Sequence, residues 1–360
     1  MKKAHNFSAG PCILPQEVLK QASDAILNFD NLNLSLIEIS HRSKNVVAVM
    51  EKAQNLVKEL LNVPDNYEVL FLQGGASLGF YSAALNFLKE GGKAYYSNTG
   101  TWADKAIKEA KLVGNAIELA SSKKDGFKHI PKGYEIPADG DYFHITTNNT
   151  IYGTQYQNIP SSPIPIIADM SSDIFSRPVN VSDYDLIYAG AQKNMGPAGT
   201  TLFIVNKDKL GKTGRTIPSM LDYKIQIDKE SMYNTPPVFA IYVSMLTLQW
   251  LKDLGGVEAI EKINAEKANL MYAEIDRNPL FEGYTAVEDR SKMNATFNLK
   301  DEAHKETFDA MWKEAGISGI NGHRSVGGYR ASMYNALPLE SVQALVNTMK
   351  QLEEKVSVNA

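Results

Sequence analysis

The sequence predicts an α/β fold, a mainly parallel sheet covered by helices on both faces and followed by a smaller α+β C-terminal domain. Three observations predict it. Short apolar runs of strand length recur through the first part of the chain, and helical patterns separate the early ones. This alternation stops at Pro236-Pro237, beyond which long helical stretches dominate. The composition, 44% hydrophobic and 22% charged over 360 residues, suffices to bury a large core and suggests about two domains.

Taken in order, a short N-terminal arm precedes a helical pattern over 15–29, opened by Pro15, whose fixed φ suits a first turn. Ser43 is placed to cap a second helix ending near 61, because its hydroxyl can accept from an otherwise orphaned amide. Strands are expected at 68–72, 93–97, 142–146, 164–168, 185–189 and 201–205, with helices at 78–88 and 102–112. Two long helices follow, at 238–254 and 257–278, parted by Gly255-Gly256. Strand-like runs at 295–299 and 329–333 then lie between helices near 305–315 and 339–356. The expected division is an arm at 1–15, a large domain at 16–255 and a small domain at 256–360. Ligands of such sheets sit beyond the carboxyl ends of the strands, so the chemistry is expected there.

The formal net charge of -4 argues against a nucleic-acid surface, which needs a cationic excess to neutralise phosphates. One cysteine, Cys12, rules out an intrachain disulfide and a multi-cysteine metal site, and fits a reducing cytoplasm; no metal site is expected. The segment Met1 to Asn6 carries positive charge with no apolar core behind it, so it does not read as a signal peptide. The most apolar stretch, 239–251, contains Ser244, Thr247 and Gln249 and is too short to span a bilayer. A cytoplasmic protein without membrane partners is expected.

Lys193 lies just past an apolar run, among small residues. Desolvation there would lower its pKa and expose the neutral amine that Schiff-base chemistry needs. A single loop lysine is more often simply solvated, so its neighbours matter. Asp169 ends the run Pro-Ile-Ile-Ala, where a carboxylate could keep the pyridine nitrogen of a pyridoxal cofactor protonated. Strand-end aspartates are commonly turn residues, but an Asp and a Lys on the rims of successive strands would lie side by side.

Gly74-Gly75-Ala76-Ser77 follows one strand and opens a helix expected from Leu78, so backbone amides and the helix dipole favour a phosphate there. A ligand-free tight turn is the competing explanation. Ala76 replaces the second glycine of a dinucleotide fingerprint, and Asn98 stands where a ribose-binding acid would be. Trp102 follows a strand end and can either cover a flat heteroaromatic ring or make a hydrophobic contact at a helix start. His41-Arg42, His323-Arg324 and Arg330 are the remaining cations of note, in a chain that is net acidic. Any one could be a surface ion-pair partner, but two His-Arg pairs suggest a polyanionic substrate.

Seven strings give these residues a family. NFSAGP at 6–11, SHRS at 40–43, LNVP at 61–64, GAQKNMGPAG at 190–199, YNTPP at 233–237, GHRSVGGYRAS at 322–332 and YNA at 334–336 together resemble the phosphoserine aminotransferases, across both expected domains and in order. The resemblance implies a fold-type I, class V enzyme dependent on pyridoxal 5'-phosphate, with a seven-stranded sheet in its large domain and an arm that packs with the small one. It implies a homodimer with shared active sites. By matching motif, Lys193 forms the internal aldimine, Asp169 pairs with the pyridine nitrogen, Trp102 stacks on the ring and Thr150 contacts its hydroxyl side. Ala76, Ser77 and Gln192 hold the cofactor phosphate, joined by Asn234 and Thr235 of the other subunit. Arg330 anchors the substrate α-carboxylate, and His41, Arg42, His323 and Arg324 form a distal anion pocket contributed across the dimer interface. Some relatives have arginine where this chain has Ser77, which counts against assigning that position to substrate, while its hydroxyl and N–H still suit a phosphate.

The activity so implied is ping-pong amino transfer between L-glutamate and 3-phosphohydroxypyruvate, giving 2-oxoglutarate and O-phospho-L-serine. Use of a phosphorylated four-carbon analogue in pyridoxine synthesis is left open. The alternatives are an alanine–glyoxylate type aminotransferase, a cysteine desulfurase, a dinucleotide-dependent oxidoreductase and a non-enzymatic pyridoxal-binding protein. Cys12 in the arm is poorly placed as a mobile nucleophile, and Ala76 and Asn98 disfavour a dinucleotide.

Overall fold

Buried apolar runs supply the central sheet of this computed structural model, which describes residues 3–359. Met1, Lys2 and Ala360, which belong to the expected arm and small domain, lie outside the described residues. The seven strands are β1 (Tyr67–Leu72), β2 (Lys93–Asn98), β3 (Asn115–Ser121), β4 (Tyr142–Thr146), β5 (Ile166–Asp169), β6 (Leu186–Gly190) and β7 (Thr201–Asn206), in the order β1-β7-β6-β5-β4-β2-β3. Only β7 runs antiparallel to its neighbours. The carboxyl ends of the other six therefore share one rim.

Side chains alternate across this sheet, as the period of two requires. Val69 and Phe71 of β1, Ile166 and Ala168 of β5 and Ile187 and Ala189 of β6 face one core. That core is closed by α1 (Gln16–Leu27), α2 (Lys44–Leu60) and, later in the chain, the helix Val238–Asp253. Leu70, Ile167, Leu186 and Tyr188 face the other core, against α3 (Gly75–Phe87) and α4 (Thr101–Val113).

Several expectations shift by a few residues. The strand expected at 164–168 begins at Ile166, because Pro165 has no N–H to give the ladder. β3 has no expected counterpart: it is an edge strand whose residues are largely half-exposed or exposed, so no continuous apolar run marks it. The helix α3 starts at Gly75, three residues before the expected 78, with Gly74 as N-cap in the left-handed region at φ 99. The short α5 (Tyr223–Asp228), capped by Asp222, was not anticipated either. Ser43 caps α2 as expected, accepting from the Val46 N–H at 3.4 Å.

Beyond α6 (Val238–Asp253), the helix α7 (Gly256–Arg277) joins two cores. Its Val257 and Ile260 pack in the first core, while Ala268, Met271 and Ile275 pack in a third. The latter also contains α8 (Lys305–Glu314), α9 (Leu339–Asn359) and the antiparallel sheet β8 (Phe281–Gly283), β9 (Asn294–Leu299) and β10 (Tyr329–Ser332). At the start of the chain, His5–Asn6 pairs in parallel with Ile317–Ser318, and Phe7 is buried in this third core. Among the described residues no helix is long and apolar enough to cross a membrane.

Candidate active site

Asp169 ends β5 in register with Tyr188 of β6, and three residues beyond β6 comes Lys193. Ser171 turns back on Asp169: its N–H and hydroxyl both donate to Asp169 Oδ1, at 2.9 and 2.6 Å. The Gly190 N–H in turn donates to Ser171 Oγ at 3.1 Å, tying the two strand ends together. Asp169 Oδ2 accepts no hydrogen bond among the described residues. Burial raises the Asp169 pKa above the usual carboxylate range, and the Lys193 ammonium is the first influence opposing it.

Lys193 is buried, and its Nζ donates to Thr150 Oγ1 at 2.7 Å. Burial pulls the amine down to about 8, against the opposing pull of Asp169; Arg330 adds to the lowering. The chemistry expected of this residue therefore has a physical basis, since a neutral amine becomes accessible close to physiological pH. The N-terminal arm contributes to the burial. A Cβ at Gly10 would lie 3.4 Å from Lys193 Cγ, and the Cys12 N–H donates to Gln192 O at 3.0 Å. The Cys12 thiol donates to the Lys193 carbonyl, and burial pushes that thiol up to about 12. Cys12 thus stands nearer the amine than an arm residue suggests, but as a protonated packing group without the thiolate a desulfurase needs.

Thr150 sits in the loop of a hairpin that pairs Asn148–Asn149 with Thr154–Gln155. Arg330, on β10, donates to Thr150 O at 3.2 Å, while its Nε is buried with no partner among the described residues. The Trp102 ring centroid is 5.8 Å from Lys193 Nζ, and the ring packs on Phe127, Ile151 and Tyr152. Trp102 Nε1 is likewise buried and unpartnered among the described residues.

On the neighbouring rim, α3 begins without a side-chain cap and without an acid in its first turn, so its leading amides stay open to an anion. A Cβ at Gly74 would come within 2.4 Å of Leu78, whereas Gly75 faces open space. Ala76 and Gln192 are half-buried and Ser77 is exposed. The Gln73 amide donates to Thr235 O at 3.0 Å, so the segment carrying Asn234 and Thr235 passes beside this loop in its own chain.

The cations divide into two groups. His323, which shares a 2.7 Å hydrogen bond with Ser325, lies in the field of Arg330, Arg324 and Lys105; burial first and these cations second lower its pKa. Lys105, one helical turn beyond Trp102, stands 4.6 Å from that ring's centroid. His41 and Arg42 lie in the turn before α2, where the Arg42 N–H donates to Ser40 Oγ, and among the described residues neither bonds to another expected site residue. One chain therefore brings His323, Arg324 and Arg330 together but does not complete the expected four-residue pocket.

Sequence reasoning missed Ser171, Cys12 as a neighbour, and Lys105. Only Ser171 carried a usable signal, the Asp-x-Ser spacing of a side chain that captures the backbone two residues on.

The arrangement offers a buried amine, a carboxylate oxygen without a donor, an indole face and open helix amides. Together these fit a flat, phosphorylated pyridine aldehyde. The chain matches the aminotransferase class-V family over residues 4–345. It is 65% identical over 355 residues to a phosphoserine aminotransferase of Flavobacterium johnsoniae, covering 98% of this chain and 100% of that one. A solved phosphoserine aminotransferase, described for radiation damage of its Schiff base, superposes with a TM-score of 0.95 at 49% identity, covering 98% of this chain and 100% of that one. A pyridoxal-phosphate-bound phosphoserine aminotransferase from Trichomonas vaginalis gives 0.92 at 38% identity, with coverage of 97% and 100%. The resemblance drawn from the motifs therefore holds, and the chain belongs to the phosphoserine aminotransferase family of the class-V aminotransferases.

Proposed function

We propose that this protein is a pyridoxal-phosphate-dependent transaminase that moves an amino group reversibly between L-glutamate and 3-phosphohydroxypyruvate, giving 2-oxoglutarate and O-phospho-L-serine. The observation that carries the reading is the buried Lys193 amine, three residues past β6 and drawn down to about 8, in the field of the buried Asp169 carboxylate at the end of the neighbouring strand. Bound there, pyridoxal phosphate supplies an aldehyde for the amine and a ring that withdraws electrons from the substrate Cα. Asp169 Oδ2, left without a donor because Ser171 directs both of its donors to Oδ1, would hold a proton on the ring nitrogen. Trp102 and Thr150, both placed at the Lys193 amine, would cover the ring face and meet its hydroxyl side.

The amides of Ala76 and Ser77, with Gln192, take the phosphate, and Asn234 and Thr235 of a second copy complete that cradle in a homodimer with shared sites. With the cofactor bound, the Lys193 amine would be the group that moves the proton at the substrate Cα. It is suited to this task because a general base works best with a pKa near the working pH. Arg330 binds the α-carboxylate, its guanidinium already directed at the Thr150 carbonyl beside the amine. His323 and Arg324, joined by His41 and Arg42 of the second copy, bind the distal phosphate or γ-carboxylate. Flexible His and Arg donors satisfy either anion. The cytoplasm is the proposed location.

Purified protein loaded with pyridoxal phosphate should show a visible band. With phosphoserine and 2-oxoglutarate it should form glutamate with ping-pong kinetics; no glutamate under these conditions would overturn the proposal. The same assay with 4-phosphohydroxy-L-threonine tests whether the four-carbon substrate of pyridoxine synthesis is shared.

A further inference from the structure

The middle of α7 carries a lysine that the chemistry above does not use. Lys267 has no exposed surface. Its Nζ lies 2.8 Å from the Tyr334 carbonyl oxygen and 3.1 Å from those of Met333 and Leu337. Three acceptors take all three protons of an ammonium, whereas a neutral amine has only two to give. No carboxylate pairs with it among the described residues. A buried ammonium without a counter-ion is expensive, and a methionine would fill similar space in this core without that cost. The lysine therefore calls for an explanation in what it holds.

What it holds is the turn 333–337, which follows directly from β10 and its Arg330. The turn reaches the amine's surroundings by separate routes. The Asn335 N–H donates to Asn194 Oδ1 at 2.9 Å, and Asn194 is the residue after Lys193. The Tyr334 hydroxyl donates to Ala9 O at 2.8 Å, in the arm that covers Lys193. Upstream, Arg330 donates to the carbonyl of Thr150, the residue that accepts from Lys193 Nζ. Asn335 is itself held from α7, where Asn264, one turn before Lys267, donates to its Oδ1 at 2.9 Å.

We propose that Lys267 is a positioning residue for the transamination site, its ammonium clamping the turn 333–337 so that Arg330, Asn194 and the arm hold Lys193 in one frame. This rests on the function proposed above. Burial draws the Lys267 amine down to about 7, while the three carbonyl oxygens around it favour its charged form.

The test is a double-mutant cycle on the pyridoxal-phosphate-loaded enzyme with Lys267→Met, Asn194→Ala and the pair. For each, the apparent pKa of the visible chromophore, cofactor affinity, kcat and KM for phosphoserine are measured. Lys267→Met is expected to keep the cofactor, shift the chromophore pKa and lower kcat/KM by about tenfold, and the double variant should fall short of the summed single effects. A folded Lys267→Met enzyme with the wild-type chromophore pKa and kinetics overturns the proposal, as does strict additivity. If Lys267→Met does not fold, Asn194→Ala reads the same link from its other end and must itself shift the chromophore pKa; an unshifted value overturns the proposal. Wild-type enzyme without a visible band or amino transfer would instead overturn the functional reading, so the two failures are separable.

Discussion

Lys193 and Lys267 are both withdrawn from water, and burial draws their amines to about 8 and about 7, yet they meet opposite surroundings. Lys193 has one hydroxyl acceptor, a carboxylate that opposes the lowering and an arginine that adds to it. Lys267 has three carbonyls and, among the described residues, no other partner. A lysine with spare protons and few acceptors can give up its charge and react. One whose nitrogen is bonded to three carbonyl oxygens is held in place as a donor. Burial sets the pKa of both, and the number of acceptors separates a reagent from a clamp.

The largest effect expected from breaking this contrast is on Lys193 itself. Lys193→Ala should lower turnover by about 10⁴-fold or more and remove the visible band, as loss of both the attachment point and the proton-moving group requires. Steady-state kinetics and a spectrum suffice, and normal turnover would remove Lys193 from its role. Asp169→Asn preserves volume but not the charge aimed at the ring nitrogen, so kcat should fall about 10²–10³-fold. A variant within a few-fold of wild type would show that the carboxylate charge is dispensable.

Stability sharpens the comparison further, because burial of the Lys193 amine carries a cost. Lys193→Met, in cofactor-free protein, should stabilise. The folded amine titrates near 8 and the unfolded one near 10.5, so between those values the unfolded chain binds more protons and stability rises with pH. Below about 8 the full penalty applies. Its removal should gain about 2 kcal/mol at pH 7, net of the lost Thr150 hydrogen bond, and the gain should shrink as pH approaches 10.5. Equal melting curves for wild type and Lys193→Met at pH 7 would contradict the assigned pKa.

The smallest of these effects concerns the distal pocket. Arg42→Ala should raise the KM for phosphoserine about tenfold while cofactor affinity stays the same, the signature of one lost charge-assisted contact to substrate. Unchanged KM would take Arg42 out of the pocket.

Much of the fold was legible because parallel strands buried on both faces leave short, largely apolar runs, as in 142–146 and 186–189. β3 escaped notice for the converse reason: at the sheet edge its residues stay partly exposed, and Asn115-Ala-Ile-Glu-Leu-Ala-Ser shows no such run. In the site, Lys193, Asp169 and Trp102 announced themselves by following strand ends, where side chains converge whatever the loop does next. Lys267 announced nothing. Between Glu266 and Ala268 in a charged helix it reads as a solvated residue, and only the return of 333–337 against α7 makes it buried.

The sequence by itself determined the alternation of strands and helices, the rim on which the chemistry lies and, through its motifs, the family. Those features depend on local periodicity and on residues adjacent in the chain. Tertiary structure alone decided that Cys12 bonds to the Lys193 carbonyl, that His323 stands with Arg330 while His41 and Arg42 do not, and that one buried lysine is free to react while the other is bound. Each of these is set by a contact between segments far apart in the chain, and burial and the tally of acceptors exist only once those segments have met.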